Sequence, residues 1–368
     1  MIFTVNTKPL ITAVAQVVID SNINKFYRKS NLLQITATDF SLILNTEASY
    51  IMSEAVIGGM SNVDNPDGAT TIFVDAAQFK KLINTFEADQ LTLEFTENAL
   101  VVRCGKSKFS IPKLVDENDV ELNKPITDLN DRTSTTVSTD KWAFIKNRQM
   151  FAVSEEPTYP VYRYVWFSEN GEVLTGDYNK SLFTRSNMGD IAKTCLLSPT
   201  IVNLIKNLPE GAKLYAVDTD YIIYYTCDTY NFVAQFSPQY ESEDFGVYSG
   251  DIILGMCDFV DENAPIEIDC DAISRFINQI DILNTNPDAK IWLKVGGDGC
   301  KIYNNTSEMS FDSKSAVEYE VEFKMRTLKP VIAKYSGKIK VYPVIQDDIT
   351  TAIKLVDEKL VTLVGAND

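Results

Sequence analysis

The sequence predicts an α+β protein of three similar domains, each with two helices on one face and antiparallel sheets on the other. Three observations carry that prediction. A short amphipathic helix followed by strands recurs six times along the chain, and self-similarity of this kind marks a repeated architecture. Apolar spacing switches again and again between a helical and an alternating period. The 368 residues suffice for two or three domains by ordinary size limits.

Val74–Leu114 is the clearest copy. Asp75 is placed to cap a helix, Phe79, Leu82, Ile83 and Phe86 share one face, and the helix ends near Glu87. Leu91–Phe95 and Ala99–Arg103 alternate as strands, and Lys108–Leu114 follows a turn at Gly105, Lys106 and Ser107. In chain order, Phe3–Val18 puts Leu10, Val14 and Val17 inward, and Val137–Val153 does the same with Trp142, Ile145 and Met150. Leu197–Tyr215 presents Ile201, Leu204, Ile205 and Leu208, with strands at Leu214–Val217, Tyr221–Cys227 and Asn231–Ser237 behind. Ile266–Leu293 presents Ile273, Phe276, Ile277 and Ile280, and Tyr319–Val341 completes the set. The polar stretches Asp116–Arg132 and Tyr240–Asn263 read as connectors, giving domains at 1–124, 125–248 and 249–368.

Composition narrows the function. With 45% hydrophobic and 11% aromatic residues the chain can bury real cores, so a disordered chain is excluded. No apolar run reaches bilayer length, and Met1–Val18 lacks the layout of a signal peptide; a cytoplasmic protein with no membrane partner is expected. The six cysteines are scattered without close pairs, as buried reduced thiols would be. With no histidine there is no Ser-His-Asp relay, zinc-binding HExxH helix or imidazole acid–base catalyst. Val295–Gly299 reads as a hairpin turn rather than a phosphate cradle, and Asp347–Asp348 as a solvated hairpin tip. No catalytic residue, metal or cofactor is expected, and the protein is read as not an enzyme.

Charge points further. A net charge of −17 argues against binding phosphates, yet the helical windows differ from the rest. They hold Lys8, Lys80, Lys81, Lys141, Lys146, Arg148, Lys206, Arg275, Lys324, Arg326, Lys329 and Lys334 against six acids, a surplus of +6 that leaves −23 elsewhere. Most of those acids stand near helix starts, where they complement the backbone dipole. Solvation alone accounts for charged helix faces. Together with the sixfold repeat, the pattern suggests helices lining a closed ring, their bases facing a channel that holds double-stranded DNA through its phosphates, independent of sequence. Lys8, Lys80, Lys81, Lys141, Lys146, Arg148, Lys206, Arg275, Arg326, Lys329 and Lys334 are the candidate contacts.

Several stretches carry a resemblance: MIFTVNTKPLITAVAQV at the start, LQITATDFSLIL at Leu33–Leu44, ALVVRCGKSKF at Ala99–Phe109, Val161–Phe167, and Gly176-Asp177 followed by Tyr178–Leu182. Along nearly its whole length the chain resembles the bacterial-type DNA polymerase III beta subunit family, the beta sliding clamps. The resemblance implies DNA-clamp domains, three per protomer, and a head-to-tail homodimer closing a six-domain ring. It implies a dimer interface of Arg103, Lys106, Lys108 and Phe109 against Ile282, Leu283, Glu308 and Asp312. It also implies a groove of Tyr162, Thr175, Gly176, Leu182, Gly246, Leu363 and Val364, where a DNA polymerase and a clamp loader dock a short hydrophobic peptide motif. The groove departs from the family pattern: T-D-G-H-R-L is matched by GDYNKSL at Gly176–Leu182, and the M-P-M-R-L ending by LVGAND at Leu363–Asp368. That implies a different partner specificity, as for a clamp serving its own dedicated polymerase, a viral one for example. The alternatives are a monomeric polymerase accessory factor and a ring-forming structural protein that does not bind DNA.

Overall fold

The computed structural model describes the chain except residues 20–27, 49–50, 62–68, 116–118, 131, 157, 159, 192–193, 218–219, 238–247, 259–264, 284–285, 287, 314, 316, 347–348 and 367–368. Among the described residues, a unit of one strand, one helix and a three-stranded meander occurs six times. The first is β1 (Ile2–Asn6), α1 (Thr7–Val17), β2 (Leu32–Ala37), β3 (Ser41–Ala48) and β4 (Ile51–Ser61). The second is β5 (Thr70–Asp75), α2 (Ala76–Ile83), β6 (Gln90–Phe95), β7 (Ala99–Cys104) and β8 (Ser107–Pro112). Next come β9 (Ser134–Thr136), α3 (Thr139–Arg148), β10 (Val165–Phe167), β11 (Val173–Asp177) and β12 (Leu182–Ser186). The fourth is β13 (Cys195–Leu197), α4 (Pro199–Lys206), β14 (Lys213–Val217), β15 (Asp220–Thr226) and β16 (Tyr230–Phe236). After an additional helix, α5 (Tyr248–Asp258), the fifth is β17 (Ile266–Asp269), α6 (Cys270–Leu283), β18 (Lys290–Gly296), β19 (Gly299–Tyr303) and β20 (Glu308–Phe311). The sixth is β21 (Tyr319–Lys324), α7 (Met325–Ile332), β22 (Lys338–Gln346), β23 (Ile349–Val356) and β24 (Leu360–Gly365).

Consecutive units exchange their leading strands. β1 pairs with β6 and β5 with β2; β9 joins β14 and β13 joins β10; β17 joins β22 and β21 joins β18. The exchange ties the six units into three consecutive pairs and yields six four-stranded half-sheets. Four half-sheets fuse in twos through the last strands of their meanders, β4 with β16 and β12 with β24; β1 also pairs with β4, so the half-sheet ending in β8 joins the first of these in one 12-stranded sheet. Those fusions shape the compaction of the chain. Residue contacts group it into two compact units, Met1–Thr139 with Asn203–Gln239, and Asp140–Val202 with Tyr240–Asp368. Neither grouping follows the expected limits at 124 and 248, because the fused sheets run across both.

In the first compact unit α1 packs on β3, β4 and β16, and on α2. Leu10, Val14 and Val17 are fully buried, while Lys8, Thr12 and Ala15 stay outside, the helical period read from the sequence. Asp75 caps α2, its Oδ1 accepting from the Gln78 amide at 2.7 Å, a contact worth about 1 kcal/mol. The Lys80 ammonium donates to the Val18 carbonyl at 2.7 Å, just past the last turn of α1. Leu82 and Phe86 lie at the margin of the buried face and are half-buried, and α2 ends at Ile83 rather than near Glu87.

In the second compact unit α6 and α7 pack together and share one core with strands of both the eight-stranded and the four-stranded sheet. Trp142 and Ile145 of α3 are fully buried, Met150 only partly. The expected connector Tyr240–Asn263 instead contains α5. Ile253 and Cys257 of that helix are buried against Tyr162, Leu174, Phe183 and Leu363, on the sheet face turned away from α6 and α7. The hairpin turn inside Val295–Gly299 is present between β18 and β19, and Asp347–Asp348 lies outside the described residues. Cys195, Cys257, Cys270 and Cys300 are buried as expected, but Cys227 is exposed at the turn between β15 and β16.

Candidate DNA-contacting helices, edge strands and partner groove

The eleven candidate bases divide by what already holds them. Lys8, Lys81 and Arg275 are exposed and Lys141, Lys146 and Lys206 half-buried; their side chains make no ion pair or hydrogen bond with another described residue. The other five are engaged. Lys80 holds the end of α1, Lys329 bridges α7 to Asp281 of α6 at 2.5 Å, and Arg326 meets Asp288 at 3.2 Å. Lys334 lies over the Phe151 ring. Arg148 is the most committed: it pairs with Asp357 at 2.7 Å and its guanidinium sits against the rings of Phe144 and Tyr335. Helical spacing revealed which face each base occupies but not the acid opposite it.

The expected interface residues lie on or near two sheet edges, with Arg103 one strand in on β7 and Ile282 and Leu283 on α6. Among the described residues β8 pairs only with β7 and β20 only with β19, each the last strand of its meander. Phe109 on β8 is partly exposed and packs edge-on against Phe86 at 5.5 Å; Lys106 and Lys108 are exposed beside it. Arg103 is held by Glu94 at 2.7 Å, and that hydrogen bond keeps the Glu94 carboxyl below the usual range. On the other edge Glu308 pairs with Lys301 at 3.2 Å and Asp312 is exposed. Ile282 and Leu283, at the end of α6, are 82% and 78% exposed, which is unusual for adjacent large aliphatic residues.

An open groove of about 820 Å³ lies in the second compact unit beside the residues expected to bind a peptide. Phe183 and Leu363, cross-strand partners on β12 and β24, form its floor with Val344 and Ala352. Tyr178, Asn179 and Ser181 make one wall, Gly255 and Met256 of α5 the other, and Gln346 and Thr351 close one end. Gly176 underlies the wall, where an added Cβ would stand 2.7 Å from the Phe183 ring and 3.2 Å from Tyr162. Gly365 is equally constrained, with Ser181 Cβ only 2.3 Å from where its own Cβ would be.

Three expected groove residues face the other way. Side chains alternate across a strand, so with Phe183 and Leu363 in the groove their neighbours Leu182 and Val364 point into the core beneath α6 and α7. Thr175 also faces inward, its hydroxyl meeting the Gln149 carbonyl and Thr184. Tyr162 belongs to the groove side, stacked on Tyr178 with centroids 6.3 Å apart. Gly246 lies outside the described residues.

The α5 wall was missed in the sequence, although Ile252–Cys257 offered an apolar run inside an acidic stretch. Its C-terminal end is tied down by charge. Asp258 and Glu172 both pair with Arg185. Burial opposes the charge on that guanidinium, but the two carboxylates outweigh it and hold its pKa above the ordinary value. Lys354 lies beneath, 6% exposed, its pKa lowered by desolvation, and burial pushes the Cys257 thiol up to about 12. Among the described residues no cluster of His, Cys, Asp or Glu could hold a metal ion, and no helix is long and apolar enough to cross a membrane.

No family model and no curated protein sequence matches the chain. Solved structures do. A putative DNA polymerase III beta subunit from Eubacterium rectale superposes with a TM-score of 0.80 at 14% identity, covering 100% of both chains. The DNA polymerase III beta subunit of Thermotoga maritima gives 0.76 at 10% identity, covering 100% of this chain and 99% of that one. The DNA polymerase sliding clamp of Bacillus subtilis gives 0.74 at 15% identity, with the same coverage. From end to end, the chain therefore has the fold of the bacterial DNA polymerase sliding clamps.

Proposed function

We propose that the protein is a DNA sliding clamp, a non-catalytic processivity factor that encircles double-stranded DNA and tethers a polymerase. The observation that carries the reading is the full-length match in fold to sliding clamps, complete in both directions for the Eubacterium rectale protein. The strand order supports ring closure independently. Six half-sheets are built alike, and four are fused through the last strand of their meanders. The two that remain end in β8 and β20, the same strand position, and these carry the exposed apolar residue Phe109 and the neighbouring charges. Pairing β8 of one protomer with β20 of another would repeat the last-strand junctions β4–β16 and β12–β24 found inside the chain. It would also cover both open edges, which otherwise invite aggregation. Two such junctions close a ring by heterologous contacts, giving a homodimer of six domains, with limits within each protomer near residues 124 and 248.

In this reading Lys8, Lys81, Lys141, Lys146, Lys206 and Arg275 contact phosphates first. Lys80, Arg148, Arg326, Lys329 and Lys334 chiefly brace the helices. The groove takes the peptide by which polymerase and clamp loader dock.

Topology is the test. Assembled on nicked circular DNA, the protein is expected to stay bound through a salt wash and to leave when the circle is linearised. Loss at the same rate from circle and linear DNA would rule the reading out.

A further inference from the structure

Two of the candidate DNA contacts on α7 carry a carboxylate of their own. Lys329 meets Asp281 of α6 at 2.5 Å, and Arg326 meets Asp288, in the turn between α6 and β18, at 3.2 Å. We propose that Asp281 and Asp288 are positioning residues that mask these two bases, holding their charge back from duplex DNA and loosening the grip of α6 and α7 on the phosphates. The inference rests on the clamp reading, and it makes Lys329 and Arg326 held-back contacts as well as braces.

The fold does not call for these two acids. Those at the start of α6 meet backbone donors: Asp269 accepts the Ala272 amide at 3.0 Å and Asp271 the Gly337 amide at 2.9 Å. Asp281 stands in the last turn of the same helix, the end where the backbone dipole disfavours an acid. Among the described residues its carboxylate meets only Lys329, and that of Asp288 only Arg326. Nor does the contact between the helices depend on the bridges. Ile273, Ile277 and Ile280 already share one core with Leu328, Val331 and Ile332, and pairs whose carboxylates are 47% and 55% exposed add little to stability.

What the pairs change is charge. A lone base is felt over about 8 Å at physiological salt, whereas a base in contact with a carboxylate presents only a short dipole. Phosphate binding draws on the counterions that a net cation displaces. A neutralised base displaces none until its carboxylate is pushed aside. Lys8, Lys81, Lys141, Lys146 and Lys206, on α1 to α4, have no such acid among the described residues. Phosphates are therefore gripped on those helices and held loosely on α6 and α7. Fewer simultaneous phosphate contacts give weaker binding, which suits a protein that moves along DNA.

The test is the salt dependence of binding to a short fluorescent linear duplex, read by anisotropy on the full-length protein. Asp281→Asn combined with Asp288→Asn should tighten binding at low salt by about threefold or more and steepen the slope of log K against log salt by about 2. Asp288→Asn alone, away from the exposed Ile282 and Leu283, should steepen it by about 1, which separates unmasking from any change in assembly. Glu169→Gln with Asp298→Asn, at exposed sheet turns, removes the same charge and should leave the slope as it was. Lys329→Gln should matter little in the wild type and weaken binding about threefold in the Asp281→Asn protein. Unchanged slopes in the unmasked variants, an equal shift in the charge control, or an equal loss from Lys329→Gln in both backgrounds would overturn the inference. The wild-type protein is assayed on nicked circles in parallel: release from circles with the steepened slopes intact sinks the clamp reading alone, and retention with unchanged slopes sinks this inference alone.

Discussion

Residues 119–130 and α5 lie on sheet faces turned away from the helices, each in the connector from one pair of repeated units to the next. The first is extended. Asn123 donates its amide and its side-chain nitrogen to Glu47 of β3 at 2.8 and 3.1 Å, Lys29 joins the same carboxylate at 3.2 Å, and the Ile126 amide donates to Gln235 of β16 at 2.9 Å. Leu122 adds an apolar contact to Leu32 and Phe73. The second connector is a helix that meets its own backbone hydrogen bonds and touches the sheet through Ile253 and Cys257. An extended chain without a strand partner must borrow polar groups from the sheet to satisfy its backbone. A helix needs none, so the sheet beneath α5 can stay apolar and open beside it. The space next to residues 119–124 is of similar size, about 910 Å³, but is lined by Asp119, Glu121 and Lys124. One connector is a strap; the other makes a wall.

The sharpest way to break this contrast is Ile253→Asp. A carboxylate placed in the Phe183–Leu363 cluster would cost about 3 kcal/mol or more locally and should detach α5. Hydrogen exchange is expected to show lost protection over Tyr248–Asp258 with β11 and β12 still protected, and peptide binding should vanish. Protection unchanged along α5 would mean that the apolar face is not what holds it.

Glu47→Ala tests the other connector. Removing the carboxylate leaves the Asn123 amide and Lys29 without their shared acceptor, for about 2–3 kcal/mol. Proteolysis should quicken within residues 116–132, while peptide binding in the α5 groove stays as it was. Weakened peptide binding in this variant would show that the two connectors are not independent.

The contrast also marks what could be read from the chain. Periodicity located the helix of every repeat, because Leu10, Val14 and Val17, or Ile273, Ile277 and Ile280, bury one face whatever lies around them. The exchange of leading strands was invisible, since pairing between distant segments leaves no local signal. Of the residues that the resemblance implied for the groove, Leu182 is adjacent in sequence to Phe183 but on the opposite side of the sheet from the apolar space beside α5. Register decides such cases, and it is set by partners far along the chain. The α5 wall was hidden by Gly255 and by the acidic residues flanking it, which together read as a loop.

The smallest predicted effect probes how the strap handles charge. Glu54 lies on the outer face of β4, level with Asn45 and Val233, and its pKa is raised from 4.5, chiefly by desolvation, with Lys124 of the connector pulling the other way. A raised folded-state pKa means that the folded protein binds this proton more tightly than the unfolded chain does. The residue therefore favours the native state most below the unfolded value, and that contribution declines as the pH climbs through the folded pKa. Glu54→Gln, neutral at every pH, should raise stability at pH 7 by a fraction of a kcal/mol, with the gain disappearing as the pH falls below 4.5. Adding Lys124→Ala to the wild type should deepen the penalty at neutral pH, because the one attraction offsetting it is gone. Denaturant midpoints at the two pH values measure both. Equal stability of Glu54→Gln and wild type at pH 7 would place that carboxylate in water, and the strap would then be looser over β4 than over β3.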